Sequence, residues 1–117
     1  MSRTRIALAN IRPATSPEES VELSRAAIAQ AKAESAEIVC FPQAFVPGYR
    51  TRGKRMPPPD EAFLTPACSE IAATAASPGV AVVLGTERLV DSTPRLTALV
   101  IDGRIVWMQD AYTTSSN

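Results

Sequence analysis

Glu37-Ile38-Val39-Cys40-Phe41-Pro42-Gln43-Ala44-Phe45-Val46-Pro47-Gly48-Tyr49 is the stretch on which the fold turns. Glu37 to Phe41 reads as a strand, and after Ile38 its apolar run shows no alternation, which predicts burial on both faces. Pro42 stops it, since proline has no N–H to give to a ladder. One polar residue, Gln43, follows the strand end, and a Pro-Gly turn comes soon after. In an open α/β sheet the carboxyl ends of strands are where ligands and reacting groups gather.

Working outward, Arg5 to Ala9 reads as a first strand. Thr15-Ser16-Pro17-Glu18-Glu19 is a helix start: Ser16 as cap, Pro17 at the first helical position, Glu19 completing a capping box. The helix should run to about Glu34, with Val21, Ser24, Ile28 and Ala31 on one face and Leu23 and Ala27 beside it. Strand, helix, strand makes a βαβ unit with a parallel pair. Pro47 to Pro59 reads as a long loop, basic at Arg50, Arg52, Lys54 and Arg55. A second helix is expected from Thr65 to Ala76, with Thr65 as its cap, because Pro66 would break a longer one. Val80 to Gly85 reads as a third strand, Leu96 to Ile101 as a fourth and Arg104 to Gln109 as a fifth. Asp102-Gly103 reads as a two-residue hairpin turn between the last two. The fold class is α/β: a mixed sheet with helices on one face. Residues 1–110 form the domain, and 111–117 read as an unstructured tail.

Composition narrows the function. Of 117 residues, 45% are apolar and 21% charged, and twelve basic residues balance twelve acidic ones, so neither a nucleic-acid binder nor a membrane-surface binder is expected. No histidine occurs, which removes the commonest general base and zinc ligand. Cys40 and Cys68 are expected to be reduced and buried rather than part of a disulfide framework. The apolar run after Met1 is short for a signal peptide, and the cytosol is the expected location. Neither GxGxxG nor a Walker motif occurs, and no cofactor is called for.

Taken in order, Arg5 to Ala9, Pro17-Glu18-Glu19, Phe41-Pro42, Pro47-Gly48-Tyr49, Val82-Val83-Leu84-Gly85-Thr86-Glu87 and the hairpin Leu96 to Val106 resemble the N-terminal portion of the nitrilase superfamily, the carbon–nitrogen hydrolases. The resemblance implies part of an α-β-β-α sandwich and hydrolysis of a small nitrile or amide. It also implies three catalytic groups: a glutamate base, a lysine that stabilises developing negative charge, and a cysteine nucleophile. The glutamate position falls on Gln43, and the lysine position falls by spacing on Ala111. Neither Cys40 nor Cys68 matches the cysteine motif. Glu87 and Tyr49 are candidates to border the pocket. An amide does not take up a proton as a carboxylate does, so the chain is expected to be a truncated, inactive member. The other reading is a non-catalytic assembly or binding partner derived from that family. A sheet without the second sheet of similar proteins should expose an apolar face, so a homo-oligomer is expected. Cys40 and Gln43, three apart along a strand, are expected to point to opposite faces.

Overall fold

A computed structural model describes residues 4–48, 60–76 and 79–110. Five strands form one sheet in the order β1-β2-β3-β4-β5. They are β1 (Ile6–Leu8), β2 (Ile38–Cys40), β3 (Ala81–Val90), β4 (Thr93–Ile101) and β5 (Ile105–Asp110), with helices α1 (Pro17–Ala33) and α2 (Glu61–Ala76) in the two crossovers. β1, β2 and β3 run parallel, and β3, β4 and β5 are antiparallel. The α/β class and the mixed sheet are as the sequence implies.

Both helices lie on one face and touch each other. Val21, Ile28 and Ala31 of α1 join Leu64, Ala67, Cys68, Ile71, Ala72 and Ala75 of α2 in a single core with Val39, Val82, Leu84, Leu99 and Ile101. The α1 face is the predicted one, with Ser20 and Ser24 buried as well. Their hydroxyls are satisfied inside the helix, Ser24 Oγ donating to the Ser20 carbonyl at 2.7 Å and Ser20 Oγ to the Pro17 carbonyl at 2.6 Å.

Ser16 caps α1, its Oγ accepting from the Glu19 N–H at 3.0 Å. The return arm of the box lands one residue early. Glu19 Oε1 accepts from the N–H of Thr15 at 2.7 Å rather than from that of Ser16. The same carboxylate takes a two-pronged contact from Arg12, each prong 2.9 Å. The Arg12 hydrogen bond, then the two from Thr15, pull Glu19 down from 4.5 to about 2. A carboxyl held lower in the folded state stabilises it above the unfolded value, and that contribution fades as pH falls through the folded value. Glu19→Gln should therefore lower the urea midpoint most above pH 4.5, with the gap to the parent chain closing progressively toward pH 2. A gap of constant size across that range would show that Glu19 acts by packing alone.

Five expectations are corrected. The second helix starts at Glu61, not after a cap at Thr65, and Pro66 sits inside it. Asp60 caps it, Oδ1 accepting from the Ala62 N–H at 3.0 Å. β3 continues past Gly85 to Val90, and β4 begins at Thr93, because Asp91 and Ser92 make a two-residue turn with φ of 50° and 65°. Positive φ at both central residues is the geometry that matches strand twist in a tight hairpin. The β4–β5 turn takes three residues rather than two: Ile101 pairs with Ile105, and the ladder shifts register beside it. Finally, β2 is buried on one face only. Val39 is 1% exposed, whereas Ile38 and Cys40 are half-buried. The run is apolar on both faces because its second face, although bare, is also apolar. Both cysteines are free, Cys68 is buried, and Cys40 is not.

Candidate functional site

Alternation along the strands defines two faces. Ala7, Val39, Val82 and Ile101 lie in one cross-strand row, Leu84 and Leu99 in the next, and Thr86, Thr97 and Asp110 beyond them, all toward the helices. The opposite face carries Leu8, Cys40, Val83, Val100 and Trp107 in one row, then Gly85 with Ala98, then Glu87 with Leu96.

Gln43 lies in the turn that directly follows β2 and is exposed. The turn is pinned to β3 at both ends: the Phe41 N–H donates to the Val83 carbonyl at 2.9 Å and the Val46 N–H to the Gly85 carbonyl at 3.1 Å. Between these anchors the chain crosses the face of Gly85. A Cβ on Gly85 would stand 2.1 Å from the Pro42 oxygen, and 2.8 Å from both the Ala44 nitrogen and the Gln43 Cα. Only glycine permits this approach. Ala44 takes φ of 53°, the Val46–Pro47 peptide is cis, and Ala44, Phe45 and Val46 are buried.

Two residues beyond Gly85 on the same face stands Glu87, 3% exposed. The turn carrying Gln43 and the Thr86-Glu87 segment therefore share one end of the sheet. The odd-spacing argument for Cys40 and Gln43 does not apply. β2 ends at Cys40, so Gln43 is outside the strand, and the turn crosses the same face on which Cys40 stands. Tyr49, Ala111, the basic loop residues Arg50 to Arg55 and the tail lie outside the described residues.

Gly85 was missed as a site residue. Its signal was present, for an isolated glycine in a run of Val and Leu marks a bulge or a close backbone approach. A second feature, on the helix side of β3, had no sequence signal. A cleft of about 300 Å³ is lined by Leu64, Cys68, Thr86, Leu99 and Met108, among others. Burial pushes the Cys68 thiol up, and the nearby Thr86 hydroxyl offsets part of that rise. A raised thiol is a poor nucleophile. Beyond Thr86, Arg88 grips Asp110 with two contacts of 2.8 Å, and Thr97 Oγ1 adds a third of 2.8 Å. The Arg88 bonds, more than that from Thr97, hold the Asp110 carboxyl below its ordinary value. Among the described residues no group of three or more His, Cys, Asp or Glu stands ready to hold a metal, and no helix is long and apolar enough to cross a membrane.

Solved structures share this fold. A glutamine-dependent NAD+ synthetase from Acinetobacter baumannii aligns over 96% of this chain and 21% of its own, at 18% identity and a TM-score of 0.79. An amidase from Nesterenkonia sp. aligns over 99% of this chain and 45% of its own, at 21% identity and a TM-score of 0.73. A doubly substituted amidase from Nesterenkonia sp. AN1 in complex with acrylamide aligns over 94% and 43%, at 23% identity and a TM-score of 0.72. The chain thus spans less than half the length of these structures, and at such identities they speak to fold alone. No curated protein matches it significantly. The sequence profile of the carbon-nitrogen hydrolases matches residues 5–109, nearly the whole chain, with Gln43, Gly85 and Glu87 inside the match. The chain belongs to the carbon–nitrogen hydrolase family.

Proposed function

We propose that this chain represents the leading part of a nitrilase- or amidase-type hydrolase, acting on a non-peptide carbon–nitrogen bond of a small molecule, and that on its own it is catalytically silent. The observation that carries the reading is Gln43, in an exposed turn at the carboxyl end of β2. The family resemblance puts a general base there, and an amide offers a carbonyl oxygen and two N–H donors but takes up no proton near neutral pH. Loss of a general base alone typically slows a reaction about 10²–10⁴-fold. Neither cysteine replaces the missing machinery. Cys68 lies on the far side of β3 with its thiol pushed up by burial. Cys40 shares the face of the Gln43 turn but sits in a row of apolar neighbours, Leu8 and Val83, with no cation among them. A small amide is the favoured substrate class for a longer form, in keeping with the amidase neighbours, one of which holds acrylamide.

The test is ammonia release from acrylamide, acetamide, a simple nitrile and an N-carbamoyl compound. The purified chain and its Gln43→Glu variant should both stay at background, because members of a catalytic set act as a unit and restoring one restores little. Turnover by Gln43→Glu that vanishes on changing Cys40 or Cys68 to Ser would overturn the silent reading.

A further inference from the structure

The cleft between α2 and strands β3–β5 is separate from the Gln43 turn. That turn crosses Gly85 on one face of the sheet, whereas the cleft lies on the helix side. The sheet lines it with Thr86, Leu99, Ile105 and Met108, and α2 with Leu64 and Cys68. Its volume of about 300 Å³ is at the small end for ligand pockets. That is room for one small molecule rather than for a helix or a strand. Thr86 is 3% exposed, and its hydroxyl makes no hydrogen bond among the described residues. Buried hydroxyls are seldom left so, because the lost water is not replaced. The Cys68 sulfur is near, but sulfur is a weak acceptor. The other polar groups on this side are engaged: Thr97 Oγ1 and the Arg88 guanidinium both bond to Asp110 at 2.8 Å.

We infer that this cleft binds a small, uncharged aromatic molecule bearing one hydroxyl, its ring among Leu64, Leu99 and Met108 and its hydroxyl paired with Thr86. Three observations select that chemistry. The ligand is uncharged because the cation lining the cleft, Arg88, is already matched by Asp110. The wall also disfavours charge, since burial pushes the Cys68 thiol up. An aromatic ring suits the two sulfur-bearing side chains, Cys68 and Met108, because sulfur is drawn to ring edges. A hydroxyl both donates and accepts, so it satisfies Thr86 in either direction. Rotation about χ1 exchanges the methyl and the hydroxyl of a threonine between staggered positions, which turns the Thr86 hydroxyl toward a ligand in the cleft. The inference is independent of whether the chain turns over.

Methyl NMR on the 117-residue chain, titrated with benzyl alcohol and separately with toluene, tests it. Benzyl alcohol should shift the methyls of Leu64, Thr86, Leu99 and Met108, with a dissociation constant on the order of 1 mM, a modest affinity for so small a ligand. Toluene should bind the same place more weakly. Thr86→Val, close in shape but without the hydroxyl, should weaken benzyl alcohol by about 3–10-fold, the usual range for one hydrogen bond, and leave toluene unchanged. Thr86→Ser keeps the hydroxyl and should keep the preference. Ser69→Trp, at an exposed helix position that lines the cleft, should lose both probes while circular dichroism stays unchanged. That variant and the preference of the parent chain decide the matter even where Thr86→Val does not fold. Absence of shifts with both probes overturns the inference, for solvent alone would then satisfy Thr86. Shifts confined to Leu8 and Trp107, on the other face, overturn it too. So does equal affinity for the two probes.

Discussion

Gly85→Ala should destabilise the protein by about 2–4 kcal/mol, near the top of the range for a single added methyl. The methyl would sit 2.1 Å from the Pro42 oxygen and 2.8 Å from the Ala44 nitrogen and the Gln43 Cα. All three are backbone atoms, so no side chain can swing aside. The turn must lift, and lifting it breaks the Val46 N–H bond to the Gly85 carbonyl and uncovers Phe45 and Val46, which are 5% and 0% exposed. Against a total stability of roughly 5–15 kcal/mol this is a large fraction. Gly79→Ala is the control: its Cβ meets nothing closer than the Ala76 oxygen at 3.8 Å, and its midpoint in urea should barely move. Chemical shifts of the Gln43–Val46 amides should change in Gly85→Ala and not in Gly79→Ala. Equal midpoints for the two variants would refute the account of how the Gln43 turn is held.

Pro66→Ala should act in the opposite direction and stabilise the chain by about 1–3 kcal/mol. Pro66 stands inside α2, where an ordinary residue would donate its N–H to the Ala62 carbonyl; proline cannot, and its ring crowds that carbonyl. Both Pro66 and Ala62 are exposed, so the exchange removes little packing while it restores one helix bond. Thermal melts decide the matter: a lower midpoint in Pro66→Ala would mean that the helix depends on the bend proline imposes.

These two residues also show where sequence reading stops. The opening of α1 was legible because Ser16, Pro17 and Glu19 act on their immediate neighbours. So were the strand cores, whose apolar runs need no knowledge of partners. Pro66 misled because local preference places it at a helix start, whereas Leu64, Ala67, Cys68 and Ile71 bury a face of α2 that spans it. Tertiary burial outweighs the cost of one proline. β3 looked finished at Gly85 because Thr86-Glu87-Arg88 are polar, yet β4 pairs with all three. The Asp91-Ser92 turn carries no glycine, although both residues adopt the backbone that glycine favours. Pro94 is tolerated in β4 because its pairing with β5 ends at Thr97, so that among the described residues β4 has no second neighbour there. At the candidate site, the position of Gln43 just past the end of β2 was readable from Phe41-Pro42. That Gly85 is the surface on which the Gln43 turn rests is a contact between segments far apart in sequence, which no local pattern reports.

β3 has a parallel neighbour on one side and an antiparallel neighbour on the other, and that asymmetry divides the molecule in time as well as in space. The β3–β4–β5 meander is joined by tight turns, and hairpins of this kind close in roughly 1–10 µs. β2 reaches β3 only after the whole of α2 and the segment before it have been drawn together, and β1 reaches β2 only across α1. Such closures cost chain entropy before any contact offsets it. The meander should therefore form first, with the free edge of β3 as the template on which β2, and then β1, are laid, an order that pulsed hydrogen exchange would show as β3–β5 amides protected before those of β1 and β2.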